Sequence, residues 1–204
     1  MSLVDKATGH EFVPDGLVLG AIEREQEAPH GMTAWMLGAI VDRSEPLAPS
    51  VMEVAHSGPN IATVRLRARH RESDYTLTIS LARGSRRVDF TLDVNWLERG
   101  DPATGVPTLR ASFPLAIYDG RARFEIPFGF IEREADGEES PALTWADLTG
   151  EAYFAEEGQL AGATLLNDSK YGYSCRGNDL RLSILRSPIA CFHDPAQVEP
   201  GREY

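Results

Sequence analysis

Apolar and polar residues alternate with a period of two over most of the chain beyond residue 16, which predicts strands rather than helices. Val64, Leu66 and Ala68 alternate with Arg65, Arg67 and Arg69. Tyr75, Leu77, Ile79 and Leu81 alternate with Thr76, Thr78 and Ser80. After a turn at Gly84 and Ser85, Val88, Phe90, Leu92, Val94 and Trp96 alternate with Arg87, Asp89, Thr91, Asp93 and Asn95. Together the three runs predict a long hairpin or meander with one face buried and one wet. Residues 99 to 107, RGDPATGVP, have loop chemistry. Leu109, Ala111 and Phe113 then restart the alternation, as do Phe124, Ile126 and Phe128 after a turn at Asp119 and Gly120. Pro127 cannot donate to a ladder, which places its strand at an edge or gives it a bulge. Trp35 falls in a predicted strand, and Trp96 falls on the buried parity of its own. The acidic run EREADGEES at 132 to 140 predicts a solvated loop. The whole is all-β, one antiparallel unit over residues 1 to 204, with two packed sheets.

Residues 165 to 188, LLNDSKYGYSCRGNDLRLSILRSP, concentrate polar, aromatic and glycine residues between two apolar runs. They predict a strand, an exposed loop and a strand. Asn167, Asp168, Ser169 and Lys170 offer amide, carboxylate, hydroxyl and ammonium groups ahead of Tyr171 and Tyr173. Beyond Asn178, Leu180, Leu182 and Ile184 face one side and Asp179, Arg181 and Ser183 the other. Such a loop either presents side chains to a ligand from a rigid scaffold or is a solvated turn. Its groups suit a sugar, with amide and carboxylate for hydroxyls and aromatic faces for the C–H side of a pyranose.

This stretch resembles a signature near the end of glycoside hydrolase family 38, the α-mannosidases, in their C-terminal β-sandwich domain. Three further blocks follow the same order, VDFTLDVNW at 88 to 96, FEIPFGFIER at 124 to 133 and PALTWADLTG at 141 to 150 with its spaced Pro141, Trp145 and Asp147. Weaker similarity reaches TAWMLG at 33 to 38. Asn95 and Ser174 depart from the pattern, where acidic residues are common. The resemblance implies a supersandwich of the galactose-mutarotase type, of which this chain is a truncated piece. It also implies a parent enzyme that hydrolyses α-mannosides or related glycans with retention. The parent's nucleophile and its Zn2+ ligands would lie in an N-terminal catalytic domain absent from this chain. On this reading the chain holds no cofactor and no catalytic residue and is inactive alone. It buttresses the catalytic domain, and the loop contributes substrate-binding candidates: Asn167, Asp168, Lys170, Tyr171 and Arg176. Lys170 and Arg176 are the basic candidates, whereas Asp168 and Asn178 read equally as structural, Asp168 through an Asx turn. Trp145 reads as an anchor between sheets. The alternative is a non-catalytic carbohydrate-binding β-sandwich.

Composition narrows the partners. Lys plus Arg number 20 against 31 Asp plus Glu, a net charge of −11, which disfavours nucleic acid and anionic membranes but not neutral sugars. No apolar run is long enough to span a bilayer and no leader pattern opens the chain, so a cytoplasmic location is expected. Met1, Ser2 and Leu3 are a possible cloning remnant. Cys175 and Cys191 are too few for a disulfide framework and read as free thiols. The five histidines, His10, His30, His56, His70 and His193, show no metal-binding spacing.

Overall fold

The computed structural model describes residues 2–44, 46–153 and 158–189, and among them there are strands and turns but no helix. In chain order the first strands are β1 (Ala21–Glu27), β2 (Ile40–Arg43), β3 (Val51–Ser57), β4 (Ile61–His70), β5 (Ser73–Ala82), β6 (Val88–Asn95) and β7 (Val106–Pro114). They are followed by β8 (Ile117–Ile126), β9 (Gly129–Arg133), β10 (Ser140–Pro141), β11 (Trp145–Ala152), β12 (Leu160–Leu166), β13 (Gly172–Arg176) and β14 (Asp179–Arg186). The chain forms two compact units, one from residues 1–23 and 108–186 and the other from 24–107 and 187–204. It passes between them inside β1, inside β7 and once more after β14.

The first unit is a β-sandwich. One layer holds β10, β13, β14 and β7 as antiparallel neighbours, and the other has the order β12-β11-β8-β9. Leu109, Ala111, Tyr173, Cys175, Leu180 and Leu182 from the first layer and Ala122, Phe124, Ala146 and Leu148 from the second are all buried. The Phe124 and Tyr173 rings meet across the core at 6.0 Å with planes inclined by 51°. Burial of the leucine and phenylalanine side chains among them contributes about 1.5–3 kcal/mol each.

The first layer has no wet face. Arg181, on the side opposite Leu180 and Leu182 as the alternation predicts, is 3% exposed, and Arg110, Ser112 and Ser174 on the same side are buried with it. Charges in such a place must be paired. The Arg110 guanidinium meets the Glu139 carboxylate at 2.8 Å and donates to Ser174 Oγ at 3.1 Å. Arg181 pairs with Glu23 and, through Nε at 3.3 Å, with Asp179, whose other oxygen accepts the Ser112 hydroxyl at 2.8 Å. Glu139 therefore leaves the acidic run that the sequence reading put wholly in solvent; it also accepts the Ser183 hydroxyl. A register shift between Ser183 and Leu185 ends the simple alternation, so that Leu185 pairs with Leu109 in place of Ile184.

Pro127 lies in neither an edge strand nor a bulge. Ile126 pairs directly with Gly129, so Pro127 and Phe128 are a two-residue hairpin turn between β8 and β9. Proline presets the first turn position, and Phe128 takes φ 68°, a left-handed conformation that costs a bulky residue.

In the second unit the expected meander forms as β3-β4-β5-β6, with Leu66 opposite Leu77 and Leu77 opposite Leu92. Its apolar face is covered only at one end. Ala68, Tyr75 and Leu77 are buried, whereas Met52 and Val54 on edge strand β3 are 69% and 70% exposed. Trp35 lies in the turn region before β2, outside any strand, and is exposed. Trp96 follows β6 half-buried and donates from Nε1 to Ser187 Oγ at 2.7 Å. The 99–107 loop ends earlier than expected, because Val106 and Pro107 already belong to β7. Gly105 holds its end at φ 89°, and a Cβ there would stand 1.9 Å from the Glu27 carbonyl oxygen, so only glycine fits.

Removing the Arg110 guanidinium leaves Glu139 as an uncompensated, largely buried charge. Arg110→Ala should therefore lower the urea unfolding free energy by about 3–5 kcal/mol, and the apolar double change Arg110→Met with Glu139→Gln by less. A loss under about 1 kcal/mol for the single variant would contradict the ion network's structural role.

Candidate functional site

The stretch from Leu165 to Pro188 is not one long loop between two strands. β12 ends at Leu166, residues 167–171 form a short loop, β13 runs from Gly172 to Arg176, and a two-residue turn at Gly177 and Asn178 leads into β14. Asn167, Asp168, Lys170 and Tyr171 are consequently gathered at one end of β13. Arg176 lies at the other end, about 13 Å of strand away. There its backbone pairs with that of Asp136 in an isolated β-bridge, and its aliphatic stem runs beside Gly137. Lys170 and Arg176 do not belong to one site.

Asn167, rather than Asp168, closes the loop. Its Oδ1 accepts the backbone N–H groups of Ser169 at 3.0 Å and Lys170 at 2.6 Å, an Asx turn, while its Nδ2 donates to the buried Tyr173 hydroxyl. Its own N–H donates to the Thr144 carbonyl at 2.9 Å, and the Ala142 N–H donates to the Tyr171 carbonyl at 3.0 Å. The loop is thus tied on one side to the core and on the other to the segment leading into β11. With the amide of Asn167 used in this way, Asp168 stands exposed, Tyr171 is 60% exposed and Lys170 is half-buried. Together with the exposed Ser169, these are what the loop offers outward. Asn178 has the structural part expected of it, with Nδ2 donating to the Ile117 carbonyl at 2.5 Å and its carbonyl accepting from Leu115 N–H at 2.8 Å.

Burial alters two groups on β13. Desolvation, opposed by the Asn167 hydrogen bond, pushes the Tyr173 hydroxyl up to about 12. Desolvation and then the negative charge of Asp179 push the Cys175 thiol to about 12 as well. Cys175 is free and buried, and Cys191 lies outside the described residues. A thiol held protonated is a poor nucleophile. Among the described residues no three His, Cys, Asp or Glu side chains come together as a metal site; His193 lies outside them.

Beside the loop, the outer surface of the second layer carries residues that the sequence reading did not join. Arg123, Phe130, Trp145, Asp147, Thr164 and Leu166 line a shallow depression of about 340 Å³. Trp145 is not an anchor between sheets. It faces outward, half-buried, with its ring 6.3 Å from that of Phe130. The turn chemistry of Pro127 and Phe128 was the available signal, because a two-residue turn sets the register that puts Phe130 opposite Glu125 and Glu132 opposite Arg123.

Residues 1–195 match the family described as glycosyl hydrolases family 38 C-terminal domain. Alpha-mannosidase G of Dictyostelium discoideum is 38% identical over 111 residues, 54% of this chain and 10% of that protein. Alpha-mannosidase 2C1 of Homo sapiens is 32% identical over 127 residues, 58% of this chain and 11% of that protein. The alpha-mannosidase of Saccharomyces cerevisiae is 34% identical over 105 residues, 51% of this chain and 9% of that protein. The matched part spans about a tenth of the length of these curated relatives.

Asn167→Ala should leave Tyr173 without its amide partner and free the Ser169 and Lys170 N–H groups. Faster amide exchange confined to residues 167–171, with about 1–3 kcal/mol lost from global stability, is the expected outcome. In a Cys191→Ser background, Cys175 should resist iodoacetamide at pH 8 until the chain is unfolded in denaturant. Rapid labelling of the folded protein would show that the thiol is neither buried nor held protonated.

Proposed function

Because this chain belongs to the glycosyl hydrolase family 38 C-terminal domain family, we propose that it serves as the C-terminal β-sandwich of a retaining, zinc-dependent α-mannosidase. The catalytic carboxylates and the metal would be supplied by a longer polypeptide. The observation that carries this reading is the family match over residues 1–195, joined to relatives that are themselves alpha-mannosidases. The described residues do not fit a zinc site, and no residue of this chain is assigned to one. Retaining hydrolysis needs two carboxyl groups about 5–5.5 Å apart around the scissile bond. Here the carboxylates withdrawn from solvent have protein partners: Glu23, Glu25 and Glu139 pair with Arg181, Arg43 and Arg110, and Glu27 accepts the Gly38 N–H, so the reading assigns the reaction's acid and nucleophile elsewhere.

What this chain contributes is support and one wall of a binding site. The open end of the apolar face on β3-β4-β5-β6, with Met52, Val54 and Leu81 exposed, is the kind of surface that another part of a longer protein covers. The Asn167-braced loop is stiff enough to hold Lys170 and Tyr171 toward a substrate, the ammonium donating to sugar hydroxyls and the ring taking a C–H face. Arg176 has no part in this, since it stands at the far end of β13. Among the described residues no helix is long and apolar enough to cross a membrane. A cytoplasmic setting belongs to the same proposal, and a buried free thiol at Cys175 is compatible with a reducing compartment.

The test is hydrolysis of p-nitrophenyl α-mannoside, with zinc or cobalt added, by this chain and by a longer protein that contains it. Turnover is expected only in the longer protein; hydrolysis by the pure 204-residue chain would overturn the assignment. In the active protein Lys170→Ala should lower kcat/KM roughly tenfold, about 1.4 kcal/mol of transition-state stabilisation, and Arg176→Ala should leave it unchanged. The reverse pattern would move the substrate side to the other end of β13.

A further inference from the structure

Two rows of side chains cross the outer face of the β12-β11-β8-β9 sheet. One is polar: cross-strand pairing sets Glu132 beside Arg123, Arg123 beside Asp147, and Asp147 beside Thr164. The other lies two residues further along each strand, about 7 Å away. It is largely apolar, with Phe130 and Trp145 6.3 Å apart and Trp145 paired with Leu166. Glu125, between them, turns its carboxylate to Thr144, which donates to it from both backbone N–H and hydroxyl at 2.6 Å. Trp145 hydrogen-bonds it as well, from backbone and side chain, so the carboxylate is held ionised beside the Trp145 ring.

The polar row is held in place. Asp147 accepts the Thr164 hydroxyl on Oδ1 and the Thr149 hydroxyl on Oδ2, each at 2.9 Å, which fixes the plane of the carboxylate. An ionised carboxylate has about four acceptor sites, so one on each oxygen stays open to a neighbouring pair of hydroxyls. Arg123 lies with its guanidinium 5.5 Å from the Phe130 ring centre and its Nε 3.5 Å from Glu132, and keeps further N–H donors for the depression. Orienting these groups before any ligand arrives lowers the ordering cost of binding.

We infer that this face is a binding site for a neutral pyranose, with the sugar's C–H side on Trp145 and Phe130 and a vicinal pair of hydroxyls on Asp147, within reach of Arg123 and Thr164. A sugar ring has this amphipathy, apolar on one side and ringed by hydroxyls, and the spacing of the two rows suits it. The lining carries one carboxylate and one guanidinium, which favours a neutral ligand over a phosphate or a carboxylate. The volume lies at the lower end of small-ligand sites, the scale of one or two sugar rings. This site is separate from the Lys170 and Tyr171 side chains of the loop. The sugar class follows from the rows themselves; only the choice of a mannosyl probe rests on the proposed function.

The experiment is an NMR titration of the 204-residue chain with methyl α-mannopyranoside and an α-mannobiose. The Trp145 indole and the amides of Asp147 and Thr164 should shift together and saturate with a Kd of about 1–10 mM, as an open, shallow site dictates. Phe130 is 54% exposed, so Phe130→Ala should keep the fold, seen as an unchanged spectrum elsewhere, and weaken binding at least about fivefold. Asp147→Asn should weaken it by a similar factor. No shift up to about 50 mM of either sugar, or shifts confined to residues 167–171, would overturn the inference. Neither result bears on turnover by the longer protein, so failure of this site and failure of the enzymatic reading are told apart.

Discussion

The hydroxyl of Tyr173 is the point at which the core of the sandwich and the exposed loop are joined. Its ring is fully buried against Phe124, and its oxygen accepts the Asn167 side-chain amide. A buried phenol needs a partner, and the partner chosen here is also the residue that closes the loop through the Ser169 and Lys170 N–H groups. Core and loop are therefore coupled through this hydrogen bond. What the loop has left for a ligand is the remainder, Asp168, Ser169, Lys170 and Tyr171.

The same economy governs the two faces of the first unit. The β7, β13 and β14 layer is buried on both sides, and its second side is polar, so Arg110 and Arg181 are stable there only because Glu139, Glu23 and Asp179 meet them. The β12-β11-β8-β9 layer buries Ala122, Phe124, Ala146 and Leu148 on one side and leaves the other open. On that open side, Trp145 and Phe130 stand where a sheet covered by solvent alone would carry polar residues. Surface of this kind is where a chain keeps its capacity to bind.

Much of this was readable in the residue pattern. Period-two alternation placed β4, β5 and β6 with the right facing residues, because side chains alternate by simple backbone geometry. The ordered blocks at 88–96, 124–133, 141–150 and 165–188 pointed to the family that the comparison over residues 1–195 establishes. Both are local properties of the text: strand parity needs only neighbours two residues apart, and a family signature needs only order.

Decisions that depend on which strand lies beside which, and on what covers each face, were not local. Parity places Arg181 opposite Leu180, but only the burial of both faces of β14 turns it from a solvated residue into a paired internal charge. Spacing along the chain brings Lys170 and Arg176 within six residues of each other, yet the strand between them carries them to opposite ends. Trp145 reads from the sequence as an anchor between sheets and is turned outward only by its place in the row beside Phe130, and Arg123, Asp147 and Thr164 become neighbours only through the registers of three strands. The alternation of the chain dictated that there would be strands and a sandwich. The pairing of those strands decided which charges are buried and which aromatic rings are left outward for a ligand.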